Sequence, residues 1–155
     1  MFIQNDQTNF QLINKYLKKA NFNHLCTSSR LESYSISDIA LAKSGTNTLE
    51  IAASKTPQII GYKINVISYL IIKAIIKIKF VSLINIISGK EIIPEYIQSK
   101  YNVENLSTEI IKLLSNTNLA QKQVNRSQDI IKQMGCYSET KPTLKTAQKI
   151  IELLS

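Results

Sequence analysis

Along the chain the hydrophobic pattern switches between a helical period and short apolar runs. Phe10, Ile13 and Leu17 recur at helical spacing, with Lys15, Lys18 and Lys19 near the end of that run, where a helix's negative pole favours cations. A short strand is predicted over residues 24–27, a helical turn over 31–36, a strand over 38–42 and a helix reaching Ser54. Residues 57–61 form an apolar run bounded by breakers and predict a buried strand, and residues 80–84 predict another. Strands alternating with helices imply a parallel sheet wound right-handedly.

Beyond Tyr101 the pattern is purely helical. Leu106, Ile110, Leu113 and Leu114 make one apolar stripe. Val124, Ile130, Ile131 and Met134 make a second, which stops at Gly135 as a helix stops at a C′ glycine. Pro142 opens a last helix with Leu144, Ala147, Ile150, Ile151 and Leu154 on its apolar side. The fold class expected is α/β: a partial Rossmann-like domain with a short parallel sheet, residues 1–101, followed by C-terminal helices of the same domain, residues 102–155.

Residues 65–78 break the pattern. Val66, Ile67, Leu70, Ile71, Ile72, Ala74, Ile75, Ile76 and Ile78 wrap most of a helix and leave a polar line through Asn65, Tyr69, Lys73 and Lys77. A membrane span needs about 18 or more apolar residues with few charges, so this segment is too short and too interrupted. It reads either as a helix wedged between sheet and neighbours, or as a surface that docks on anionic lipid through Lys63, Lys73, Lys77 and Lys79.

Composition narrows the picture. The 155 residues are one domain's length, and 44% hydrophobic with 19% charged residues describes a globular chain. A formal charge of +8 invites an anionic partner. Only Arg30 and Arg126 are arginines, Trp is absent, and no basic helix carries interleaved aromatics, so nucleic acid is not the expected partner. Cys26 and Cys136 stand far apart without clustered histidines, which argues against a disulfide framework or a metal site. The N-terminus has no secretory pattern, and a cytoplasmic setting is expected.

The chemistry concentrates between the strand at 38–42 and the helix after it, in Ser44-Gly45-Thr46-Asn47-Thr48-Leu49-Glu50. The first N–H groups of a helix lack intrahelical partners and its dipole is positive there, so a phosphate is favoured. Gly45 lets the backbone approach a ligand, and Glu50 one turn later suits the paired hydroxyls of a ribose. The structural alternative is a capping box, in which Glu50 folds back on its own helix behind Asn47. His24, the one histidine, lies on a predicted strand away from this loop and lacks the orienting partners of a general base. Glu91 and Glu95 are placed at the start of a helix, where carboxylates stabilise the positive end.

Read as one string, residues 37–98 resemble the C-terminal half of the lipid-A-disaccharide synthase family, bacterial glycosyltransferases of the GT-B fold. The matching pieces are Ser37-Asp38, Ala42-Lys43-Ser44-Gly45-Thr46 through Thr48-Leu49-Glu50, Ile60-Gly61-Tyr62-Lys63, Val81 through Glu91, and Pro94-Glu95. Ile84 stands where the family has a proline, and Lys90 where it has an arginine, which keeps the charge but loses the planar fork that grips phosphate twice.

The resemblance implies transfer of a diacylglucosamine from a UDP-linked donor to a phosphorylated lipid acceptor, at the inner face of the inner membrane. It implies that Ser44, Gly45, Thr46 and Thr48 face the diphosphate, Glu50 the ribose, and Asn85 with Gly89 the donor-side wall of the cleft. No cofactor or metal is expected, and no catalytic residue is assigned, because in this family the base belongs to the N-terminal half. The acceptor domain is not expected within these residues. The chain is therefore expected to work with a separately encoded N-terminal half or with itself, or else to be a non-catalytic remnant that binds a membrane surface or a partner.

Overall fold

The computed structural model describes residues 2–4, 15–19, 23, 25–27, 29–43, 45–65, 69, 79–136 and 142–154. The first predicted helix is described only over residues 15–19, of which 15–17 are helical. His24 and most of the apolar segment 65–78 lie outside the described residues.

The described elements run β1 (Phe2–Gln4), β2 (Leu25–Thr27), α1 (Arg30–Ser35), β3 (Ala40–Ala42), α2 (Asn47–Ala53), β4 (Gln58–Tyr62), α3 (Leu83–Ser88), β5 (Glu95–Ile97), a 3-10 turn (Gln98–Lys100), α4 (Val103–Ser115), α5 (Thr117–Gln133) and α6 (Pro142–Leu154). Strands β1 and β2 pair in parallel, with Phe2 opposite Leu25. A second parallel sheet has the order β3-β4-β5, with Leu41 opposite Ile59 and Gly61 opposite Tyr96. This is the α/β arrangement expected from the alternation of strand and helix, and it accords with a partial Rossmann-like domain.

Strand β4 is central. Ile59 and Ile60 point to opposite faces of the sheet and both are fully buried, so helices cover it on each side. Ile60 joins Ala52, Ile84, Ile93, Ile130 and Ile131 in the main core, which ties α2, α3 and α5 to one face. Burying side chains of this size stabilises by about 1.5–3 kcal/mol each.

Polar groups fix α5 as firmly as its isoleucines do. The Gln58 N–H donates to Gln123 Oε1 at 2.7 Å, and Gln123 Nε2 returns a bond to the Gln58 carbonyl at 3.0 Å. The Gln128 amide donates to the Ala52 carbonyl. At its far end α5 closes as a Schellman motif: the Gly135 N–H reaches Lys132 O, the Cys136 N–H reaches Ile131 O, and Gly135 takes a φ of 85°. The glycine stop is where the pattern placed it.

Three expectations are corrected. Residues 80–84 are not a strand: α3 begins at Leu83, with Ser82 as N-cap accepting from the Asn85 N–H and Gly89 ending it at a φ of 66°. Glu91 and Glu95 do not open a helix, for Glu91 sits in a loop and Glu95 begins β5. The Glu95 carboxylate instead accepts from the N–H groups of Val81 and Ser82, at 2.8 and 2.9 Å, just ahead of α3. Leu114 and Met134 stand partly in solvent rather than in their stripes, while Leu113, Val124, Ile130 and Ile131 are buried.

Candidate functional site

Two strand-to-helix junctions lie side by side. One leads from β2 through Ser29 into α1, and the other from β3 through Gly45 and Thr46 into α2. Gly45 takes a φ of 150°, a conformation that L side chains rarely adopt, and the space where its Cβ would stand is open. Thr46 is the N-cap and makes no side-chain cap bond. The N–H groups of Thr48, Leu49 and Glu50 close the first turn onto Gly45 O and Thr46 O. Ser44 lies outside the described residues.

Glu50 is not folded back as a capping box would require. Its carboxylate reaches across to Arg30, with Oε2 3.7 Å from Nη1, and both side chains remain part-exposed. Arg30 was not singled out by its spacing. It stands at the first position of α1, twenty residues from its partner, and the signal that could have found it is its place just beyond the C-terminal end of a parallel strand. Tyr34, one turn on, is buried and its phenol is held above the usual range, first by burial, then by the Glu50 charge, against a smaller opposing effect of Arg30.

The remaining site residues divide. Gly45 and Thr46 are exposed at the junction, and Gly89 is exposed at the end of α3. Thr48 is fully buried, and its hydroxyl donates to the Gly45 carbonyl at 2.7 Å, so it braces the loop from beneath. Asn85 is also fully buried. Its amide donates to Ile93 O at 2.7 Å and to Glu95 Oε1 at 2.8 Å, while its carbonyl accepts from the Ile92 and Ile93 N–H groups at 2.8 and 2.9 Å. Both donors and both lone pairs are thereby used. Asn85 and Gly89 together shape the loop from Gly89 to Pro94.

Gln98 was also missed by the sequence reading. It follows β5 with a φ of 55°, and its Nε2 is buried with no hydrogen-bond partner among the described residues. An unpaired buried donor beside a strand's C-terminal end can serve a ligand oxygen. A cavity of about 740 Å³ lies instead along β3 between α1 and α4 and is lined mainly by apolar groups including Ile36, Leu41 and Leu114. Among the described residues no cluster of His, Cys, Asp and Glu could hold a metal ion, and no helix is long and apolar enough to cross a membrane.

The family model for lipid-A-disaccharide synthetase matches residues 2–150, which takes in both junctions and the Asn85 loop. The chain belongs to the lipid-A-disaccharide synthase family. It is thereby a chain of a glycosyltransferase family. It is 50% identical over 139 residues to the lipid-A-disaccharide synthase of Rickettsia canadensis, covering 90% of this chain and 36% of that protein. The corresponding protein of Rickettsia felis is 49% identical over 139 residues, covering 90% and 36%. That of Rickettsia conorii is 52% identical over 127 residues, covering 82% and 28%. The chain thus spans roughly a third of the length of the synthases it matches.

Proposed function

We propose that this chain supplies the UDP-binding half of a lipid-A-disaccharide synthase, which moves a diacylglucosamine from its UDP-linked donor to a phosphorylated lipid acceptor. The observation that carries the reading is the family match over residues 2–150 together with a glycine junction flanked by Glu50. In this reading Ser44, Gly45 and Thr46 meet the diphosphate through the start of α2, with Thr48 holding the loop in shape. Glu50 takes the ribose hydroxyls, its carboxylate oriented by Arg30 from the neighbouring junction. Asn85 and Gly89 form the donor-side wall through the loop they shape.

Glycosyl transfer in a two-domain cleft draws its rate from contacts made across the cleft in the transition state. In this reading residues 2–150 bring one wall of that cleft. The apolar stripe of α6 is exposed, with Ile150 at 53%, Ile151 at 66% and Leu154 at 83%, and a stripe of that kind suits a partner: a separately encoded N-terminal half, or a second copy. The assay is disaccharide formation from the UDP-linked donor and the lipid acceptor. The 155-residue chain alone should give no turnover, and addition of a polypeptide covering the rest of the synthase should restore it. Turnover by the chain alone would overturn the one-wall reading, and no turnover in either case would favour a non-catalytic binding remnant.

The same reading places the chain on the inner face of the inner membrane as a peripheral protein, held by residues 65–79. Flotation with anionic and neutral vesicles tests this. Binding that ignores lipid charge, or that survives Lys73→Glu with Lys77→Glu, would contradict it.

A further inference from the structure

We propose that the open edge of β3 takes one added parallel β-strand of apolar sequence, supplied by the part of a lipid-A-disaccharide synthase that precedes the region this chain matches. The inference rests on the synthase reading above and names the contact through which the rest of that protein joins these residues.

The described strands form two parallel sheets, β1-β2 and β3-β4-β5. Direct pairing of β1 with β3 would give the order 2-1-3-4-5, but among the described residues β3 pairs with β4 alone. One strand inserted between β1 and β3 gives instead the order 3-2-1-4-5-6 of the doubly wound nucleotide-binding sheet, and the inserted strand then takes the first place. A first strand comes before β1 in chain order and reaches it through a crossover helix, so its source is sequence ahead of the matched region. This chain covers 36% of the Rickettsia canadensis synthase, which leaves that protein ample sequence to supply it.

The backbone at this edge is turned toward such a partner. The Ala40 N–H donates to the Pro57 carbonyl at 2.8 Å, so Ala40 and, two residues on, Ala42 direct their peptide groups to β4. Leu41 between them directs its N–H and carbonyl the other way, to the open edge, where a further strand would meet them.

The space beside that edge has the size and lining of a strand. The cavity of about 740 Å³ takes its walls from α1, α2 and α4, with Ile36, Ile39, Leu41, Ile51, Ile110 and Leu114 in its apolar lining. From the spacing of strands, the spacing of packed layers and the rise per residue, a strand residue fills about 160 Å³, so the cavity holds about four or five residues. Its charged groups, Asp38 and Lys43, flank β3 at either end and leave the middle apolar. The helix α1, which forms one wall, also runs beside β1 and so borders both sheets. Leu41 is 52% exposed here, whereas a parallel strand covered on both faces is an apolar run buried along its length.

The test follows amide hydrogen exchange by NMR in the whole 155-residue chain. The probe is a synthetic peptide of about 30 residues, the length of a strand with its crossover helix, taken from the Rickettsia canadensis synthase immediately ahead of its matched region. In the chain alone the Leu41 amide should exchange fast, while the Ile60 amide, which donates to the Pro94 carbonyl at 2.9 Å, is protected and serves as the reference. Saturating peptide should slow exchange at Leu41 at least about tenfold. Leu41→Pro removes a donor of the open edge only, a place where a sheet tolerates proline, and Leu41→Lys puts a charge into the apolar cavity. Both variants should keep the Ile60 protection and bind the peptide at least about tenfold more weakly. A Leu41 amide already protected in the chain alone would overturn the proposal, and protection that rises with protein concentration would make a second copy the occupant. Unchanged exchange with peptide, or variants that bind as tightly as the parent, would overturn it as well. UDP titration separates the two readings: peptide binding without UDP binding leaves the strand site standing and refutes the nucleotide reading, whereas UDP binding with no response to peptide refutes the strand site alone.

Discussion

The Glu50 carboxylate stands 3.7 Å from the Arg30 guanidinium, and this pair joins the β3–α2 junction to the β2–α1 junction. Glu50 thus turns toward the opposite charge on α1 and not back onto its own helix. Both side chains are part-exposed, at 48% and 38%, so the pair itself contributes at most about 1 kcal/mol to stability. Its weight lies in orientation, because a part-exposed carboxylate in the first turn of α2 is available to a ligand.

Asn85 should behave as a stability residue. Asn85→Ala strands the N–H groups of Ile92 and Ile93 and removes the bond to Glu95, in a region with no exposed surface at 85 or 93. Buried groups left unpaired cost about 1–3 kcal/mol each, so a loss of roughly 3 kcal/mol or more is expected in urea denaturation. A loss below about 1 kcal/mol would mean that the loop from Gly89 to Pro94 is held by something else.

Gly61→Ala tests the close approach of the Tyr101 ring to β4. The added Cβ would lie 2.5 Å from the ring, so the ring must swing out or the strand must shift. Overpacking of this kind costs about 1–3 kcal/mol. Adding Tyr101→Ala to Gly61→Ala should recover part of that loss, whereas simple additivity of the two changes would show that they do not share the contact.

Tyr96 gives a pH signature. Its phenol is pushed up to about 12, first by burial, then by donating to Glu109 at 3.0 Å, and further by the charges of Glu109 and Glu91. The folded value lies above the unfolded one, so this contribution is fully present below about pH 10, where the unfolded tyrosine is still protonated, and is lost as pH rises toward 12. Tyr96→Phe should flatten the fall of stability between pH 10 and 12. An absorbance titration should also show one fewer late-ionising tyrosine, and an unchanged titration would contradict the assignment.

What could be read in the sequence was local. Gly135 ended α5 as expected because a Schellman stop depends on its own few residues, and the Gly45 junction was visible because strand, glycine and helix follow one another. Residues 80–84 misled because a short apolar run suits a buried strand as well as a helix face. Ser82 and Gly89 decide for the helix, through a cap bond and a left-handed turn. The rest needed the third dimension. Arg30 meets Glu50 across two junctions, Gln123 meets Gln58 across 65 residues, and Glu95 returns to serve the helix before it.

If these residues hold the nucleotide of the donor, as proposed, calorimetric titration of UDP into the chain and its Glu50→Ala variant will show it. Glu50 contributes little to the fold, so the variant should unfold within about 1 kcal/mol of the parent. UDP should bind the parent at one site and the variant at least about tenfold more weakly, as a charge-assisted bond to the ribose is worth about 1.5–3 kcal/mol. Absence of binding to the parent, or equal affinity in both, would contradict the claim and leave Glu50 as no more than the partner of Arg30.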